Sequence, residues 1–139
     1  MDMLFSPGRI GTAEIKNRLV MPSILTGLAG KNGKVTKELI TFYEIRAQGG
    51  TGLIVTEAAR VTPASYNSFQ LGIYDDSFVP GLKELTDRIH ESGAKVFIQL
   101  YHPGSQTTNK LAGGELLTPS GFASKGLAPQ RCRAMTQGD

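Results

Sequence analysis

Three short apolar runs constrain the fold of this chain more than any other feature: Leu19-Val20-Met21, Leu53-Ile54-Val55 and Val96-Phe97-Ile98. Each is continuous rather than alternating, the pattern of a strand buried on both faces of a parallel sheet. Helical patterns lie between them. From Lys37 to Gln48, the apolar positions Leu39, Ile40, Tyr43 and Ala47 share one helical face, with Thr36 placed as N-cap and Gly49-Gly50 as the stop. From Pro80 to Glu91, Leu82, Leu85 and Ile89 repeat in the same way, with Pro80 in the first turn and Gly93 at the end. The order is strand, helix, strand, helix, strand. Strand starts lie roughly 35 to 45 residues apart, the spacing of βαβ units, whose right-handed crossovers yield successive parallel strands. Ahead of the first core strand, Phe5 to Ile15, with Gly8 and Gly11, reads as an irregular strand or hairpin.

After Leu100 the periodicity stops. Breakers cluster at Pro103-Gly104, Gly113-Gly114, Pro119-Ser120-Gly121, Gly126 and Pro129, and no helix or strand is expected there. Residues 101–139 are therefore read as a long loop or lid, since connections of this length are usually functional. At its end, Ala134 to Asp139 reads as the start of a helix with Thr136 as N-cap.

With 139 residues the chain is long enough for one domain, yet an α/β barrel typically takes about 250. The net charge is +3 and mixed in distribution, with Lys31 and Lys34 the only compact basic spot. No basic stripe with interleaved aromatics points to nucleic acid. The one cysteine, Cys132, has no internal disulfide partner and no metal-ligand spacing, and it reads as a plain loop cysteine. No signal peptide is visible and no apolar run approaches the ~20 residues of a membrane span, so a cytoplasmic location is expected.

Three constellations carry candidate chemistry. The first is Asn17 to Gly27, where a strand breaks at Pro22 and leaves backbone N–H groups free for a ligand. The second is Leu53 to Arg60, where a strand exits into Ala58 and Ala59, small enough for a flat ring to approach; Glu57 reads as a base or as the ion-pair partner of Arg60 or another cation. The third is Val96-Phe97-Ile98-Gln99-Leu100-Tyr101-His102-Pro103-Gly104. Gln99 offers one acceptor and two donors at the carboxyl end of a buried strand, which matches the polar edge of a ring such as a flavin pyrimidine. His102 contacts a ligand or organises its loop by donating to a backbone carbonyl, and His90 is a surface histidine. Gly49-Gly50-Thr51-Gly52 follows a helix and precedes a strand, the reverse of a dinucleotide fingerprint. No P-loop, Gly-x-Ser-x-Gly elbow or His-Glu-x-x-His occurs.

Taken in order and spacing, the motifs resemble the N-terminal part of the Old Yellow Enzyme family, the NADH:flavin oxidoreductases. The chain is most similar to the branch of 2,4-dienoyl-CoA reductase, 2-enoate reductase and the bile-acid-inducible oxidoreductases. The residues that carry the resemblance are Leu4-Phe5-Ser6-Pro7, Ile10-Gly11, Lys16-Asn17-Arg18-Leu19-Val20-Met21, Gly52 to Ala58 and Gln99 to Gly104, so it covers nearly the whole chain.

The resemblance implies an α/β fold made of about three βα units, the N-terminal portion of a (β/α)8 TIM barrel with FMN at the carboxyl ends of the strands. It implies that Ser23, Ile24 and Leu25 line the flavin after the first core strand, that Ala58 sits beside the ring, and that Gln99 bonds the pyrimidine edge. It implies NADH or NADPH as hydride donor and, as substrate, a small unsaturated carbonyl compound, an enoate or an enoyl-CoA. The position aligned to Leu25 often holds Thr, Cys or His in relatives, so a side chain reaching the flavin carbonyl would have to come from Thr26. Ser105 stands where relatives commonly carry Arg. The family's substrate-anchoring His pair, flavin-facing Arg and phosphate site have no counterpart before Asp139, and no catalytic residue is assigned. An iron–sulfur cluster and an FAD domain occur downstream in parts of this branch, and these residues imply nothing about either. The chain is thus expected to be an N-terminal piece that neither binds FMN tightly nor turns over alone. The other readings are a noncatalytic truncated product or interaction piece, and another TIM-barrel flavoenzyme such as a dihydroorotate-dehydrogenase-like protein. The Asn-Arg start and the Gln-x-x-His-Pro-Gly run argue against the last.

Overall fold

The computed structural model describes residues 3–64, 69–122 and 132–139. An antiparallel hairpin, β1 (Gly8–Ile10) and β2 (Ala13–Ile15), opens the chain and turns at Gly11, whose φ of 57° only glycine adopts readily. Then β3 (Val20–Met21), α1 (Lys37–Gln48), β4 (Leu53–Arg60), α2 (Val79–Glu91) and β5 (Lys95–Tyr101) alternate. The three strands form one parallel sheet in the order β3-β4-β5. This is the parallel strand–helix alternation that the apolar runs predict and the partial α/β barrel that the resemblance implies.

Local signals account for the helices. The Thr36 hydroxyl accepts from the Leu39 amide at 3.1 Å and caps α1, while Gly50, at φ 102°, ends it. Pro80 sits in the first turn of α2, and Gly93 follows its end at φ 69°. The expected apolar face of α1 is the buried one: Leu39, Ile40, Tyr43 and Ala47. They pack with Leu85 and Ile89 of α2, Ile54 and Ala59 of β4, and Leu71, into one core between helices and sheet. Each fully buried Leu or Ile adds ~1.5–3 kcal/mol of transfer free energy.

The N-terminal motif residues work at the opposite end of the sheet from the strand exits. The Asn17 amide donates to the Gly50 carbonyl at 2.7 Å and its oxygen accepts from the Leu19 amide at 3.1 Å. Arg18 donates through its backbone N–H to Leu4 O and through Nε to Ser6 Oγ. Asn17 and Arg18 thereby tie the chain start and the α1–β4 turn to the amino end of β3.

The structure departs from expectation in several places. β4 does not end near Val55 but runs to Arg60, through a one-residue bulge between Val55 and Ala58. Ala58 and Ala59 are therefore strand residues rather than loop residues. β5 is not buried on both faces: Phe97 is 38% exposed, Ile98 39% and Leu100 66%. It is the edge of the sheet, with no strand beyond it among the described residues. Residues 101–139 also contain structure where none is expected. A short helix, α3 (Asn109–Ala112), precedes β6 (Leu116–Thr118), which pairs in parallel with β7 (Cys132–Ala134). Cys132 is thus on a strand, not in a loop. Gly126 and Pro129 lie outside the described residues. The expected helix start over Ala134 to Asp139 is not seen: Ala134 belongs to β7 and the last residues form a turn, in which the Thr136 hydroxyl oxygen accepts from the Gly138 amide and its N–H donates to Asp139 Oδ2 at 2.7 Å. Arg133 grips the same Asp139 carboxylate with both Nη atoms and holds it well below the usual carboxylate range.

Tyr43 links the core to the sheet. Its hydroxyl accepts from the Glu57 amide at 2.7 Å, and burial pushes its pKa up to about 12. The unfolded chain ionises this phenol near pH 10. Between pH 10 and about 12 the unfolded state therefore binds fewer protons than the native state, and stability falls as pH rises. Urea midpoints measured across that window are expected to drop more steeply for the parent than for Tyr43→Phe. Parallel slopes would contradict the assignment.

Candidate functional site

The carboxyl ends of the three parallel strands bring the candidate residues together. Past β3 the chain breaks at Pro22 and leaves Ser23, Ile24 and Leu25 on the surface, with Ile24 57% and Leu25 48% exposed. On β4, Ala58 stands in register with Gln99 of β5. The Ser23 hydroxyl donates to Gln99 Oε1 at 2.8 Å across 76 residues of sequence. Four of the five predicted residues thus come from the loop after β3 or pair with Gln99, and all five lie at one end of the sheet.

The arrangement has the chemistry of a ring-binding face. Fixed by Ser23, the Gln99 amide keeps its NH2 donors directed as a unit with the strand that carries it. Ile24 and Leu25 are apolar and exposed, which suits contact with a flat aromatic ligand better than contact with water. Ala58 adds no bulk beside Gln99. These features fit a flavin ring: an apolar wall, a small residue at the sheet and a polar edge binder.

The neighbouring residues play parts that sequence did not reveal. Glu57 is fully buried. It pairs neither with Arg60 nor with any other cation among the described residues, which corrects the ion-pair expectation. Its Oε2 accepts from the Thr26 amide at 3.0 Å and, in a short bond, from the Thr26 hydroxyl; its Oε1 accepts from the Leu71 amide at 3.1 Å. Arg60 points elsewhere: its Nε donates to Gln70 O and its Nη1 to Pro63 O, with the guanidinium 5.4 Å from the Tyr74 ring centre. Thr26 is equally committed, because its oxygen also accepts from the Leu28 amide at 3.0 Å. Its hydroxyl proton is already given to Glu57, so Thr26 does not replace the missing donor at Leu25. Nor is the backbone after β3 wholly free, since the Thr26 N–H is taken. No local pattern could have shown this, because Thr26 and Glu57 are 31 residues apart.

His102 organises its own turn, but as an acceptor: the Gly104 amide donates to Nδ1 at 3.1 Å. The neutral ring then carries its proton on Nε2. His90 is exposed on α2, as expected. Among the described residues no group of three or more His, Cys, Asp or Glu could hold a metal, and no helix is long and apolar enough to cross a membrane.

A parallel sheet with crossover helices, and with an apolar loop, a small residue and an amide at its carboxyl strand ends, defines the opening part of an α/β barrel, a fold whose ligand sites lie at that face. The chain belongs to the NADH:flavin oxidoreductase / NADH oxidase family, which matches residues 3–137. The cofactors of this family are FMN and a nicotinamide nucleotide. Over 113 residues the chain is 45% identical to NADH oxidase of Thermoanaerobacter brockii, an overlap of 80% of this chain and 17% of that protein. The old yellow enzyme homologue of Zymomonas mobilis superposes with a TM-score of 0.80 at 26% identity, over 97% of this chain and 40% of that one. A 2-naphthoyl-CoA reductase in complex with 2-naphthoyl-CoA superposes with a TM-score of 0.85 at 28% identity, over 97% of this chain and 23% of that one. The chain therefore spans less than half the length of these relatives.

Proposed function

We propose that this chain is the N-terminal part of an FMN-dependent oxidoreductase that passes hydride from NADH or NADPH, through the flavin, to an activated C=C bond. The single observation that carries the reading is the Ser23–Gln99 hydrogen bond at 2.8 Å, which joins two of the residues expected to face FMN. In this reading Gln99 binds the pyrimidine edge, Ser23 holds the Gln99 amide in one orientation, Ile24 and Leu25 exclude water from one side of the ring, and Ala58 permits its close approach. FMN supplies the hydride chemistry, while these residues supply position and a water-poor surface. The substrate is an unsaturated carbonyl compound, an enoate or an enoyl-CoA; the likeness to a reductase of an aryl-CoA thioester supports this class.

Three strands do not close an eight-stranded barrel, so the reaction needs the remaining strands, from further sequence or another chain. The isolated chain is accordingly proposed to be inactive. In the closed-barrel protein, Gln99→Leu removes the polar edge contact and leaves the Ser23 hydroxyl without its acceptor. FMN affinity measured by fluorescence quenching is expected to fall about tenfold, the worth of about one hydrogen bond at the strong end of the neutral range. Unchanged affinity would remove Gln99 from the site.

A further inference from the structure

We propose that Glu57 is the positioning residue that sets the separation between the two walls of the flavin site, a role that rests on the flavin reading above. One wall is Ser23 to Leu25, the other is Ala58. Glu57 touches both: Ala58 follows it in β4, and Thr26, which its carboxylate binds, follows Leu25.

A fully buried carboxylate is expensive to maintain unless every lone pair is served. Here both oxygens are served, and no cation is among the donors. The donors are the amide and hydroxyl of Thr26 and the amide of Leu71, each a neutral dipole. Two of the three come from the residue next to the flavin-lining loop. If the position served packing alone, an apolar residue of similar size would do as well.

The other end of the gauge is also fixed. The Glu57 backbone N–H donates to the Tyr43 hydroxyl of α1, so β4 cannot drift at this point. From Thr26 the connection continues back to the same helix. The Thr26 oxygen accepts from the Leu28 amide, the Leu28 carbonyl accepts from the Thr36 hydroxyl at 2.6 Å, and that hydroxyl caps α1. The loop from Thr26 to Thr36 is thus held between β4 and α1 by a closed circuit whose one carboxyl group is that of Glu57. The bulge between Val55 and Ala58 lies over this position, as expected where a strand re-aims a side chain.

The test uses two variants of the closed-barrel protein. Glu57→Gln keeps the shape but places an NH2 against either Thr26 or Leu71, donor against donor. Thr26→Val leaves the Glu57 carboxyl group intact and replaces the hydroxyl with a methyl, which also takes the acceptor from the Leu28 amide. Both are expected to weaken FMN binding at least tenfold and, at saturating FMN, to shift the visible flavin absorption band. Thr26→Ser, which keeps the hydroxyl, is expected to match the parent in both readouts. The double variant is expected to lose less than the sum of the singles, since both disturb the shared Thr26–Glu57 contact. Variants that melt at lower temperature in the apo form yet show parental FMN affinity and an unshifted band would overturn the inference and leave a role in stability alone. A parent protein that takes up no FMN would instead overturn the flavin reading, and this inference with it.

Discussion

Gly52→Ala is expected to cost the fold about 3 kcal/mol, the upper end for forcing extra atoms into a packed site. Gly52 is the buried residue just before β4, and its backbone is bonded on both sides. Its N–H donates to Leu19 O at 3.0 Å, and its carbonyl accepts from the Lys95 amide at 2.8 Å. It therefore cannot shift without loosening β3 or β5. A Cβ there would lie 2.8 Å from Asn17 O and 2.9 Å from Ile15 Cγ2, and would collide with Asn17 Oδ1. Asn17 cannot retreat either, because its amide holds Gly50 and its oxygen holds Leu19. Against a total of about 5–15 kcal/mol for a domain, the loss is large. Gly114→Ala, where a Cβ meets nothing within 4 Å, is the control and is expected to be near neutral. Urea unfolding of the three proteins decides the matter; a Gly52→Ala loss below about 1 kcal/mol would mean that the amino end of the sheet is far more yielding than its hydrogen bonds imply.

The second large effect concerns the cofactor. The 139-residue chain, mixed with excess FMN and desalted, is expected to emerge colourless. The face described above offers one polar contact set at Gln99 and an apolar strip at Ile24 and Leu25. It supplies only one side of a ring site, and ligands of this size are held where most of their surface is buried. Phosphate binding in α/β barrels usually comes from the loops after the seventh and eighth strands, beyond the three present here. A stoichiometric yellow protein would show that these three strands suffice, and the proposed need for a closed barrel would fail.

What could be read in the sequence was local. The bounds of α1, its Thr36 cap and its four buried residues follow from a 3.6-residue period, a capping hydroxyl and a glycine stop, all within one stretch of chain. The hairpin at Gly11 and the stop at Gly93 are of the same kind. That Ser23, Ala58 and Gln99 lie at one end of the sheet was expected from the family resemblance and from parallel topology, which places strand exits side by side; that Ala58 lies within β4 was not. The contacts that organise this face were not legible. Glu57 next to Arg60 in sequence suggests an ion pair, yet β4 sends the two side chains to different partners. The β6–β7 pair escaped notice because each strand has three residues, too few to show a period, and because each depends on the other for its hydrogen bonds. The full length of β4 was hidden by its bulge, which breaks the continuity that a buried strand otherwise shows.

The outer edge of β5 carries a consequence for the molecule's life in a crowded solution. An edge strand with no strand paired to its outer side among the described residues, and with Phe97, Ile98 and Leu100 exposed, is a template for another extended chain. It has none of the usual protections along its centre: no proline and no bulge, and its one lysine, Lys95, stands at the strand's first position. Unless another strand closes over that edge, self-association through it is expected to rise with concentration.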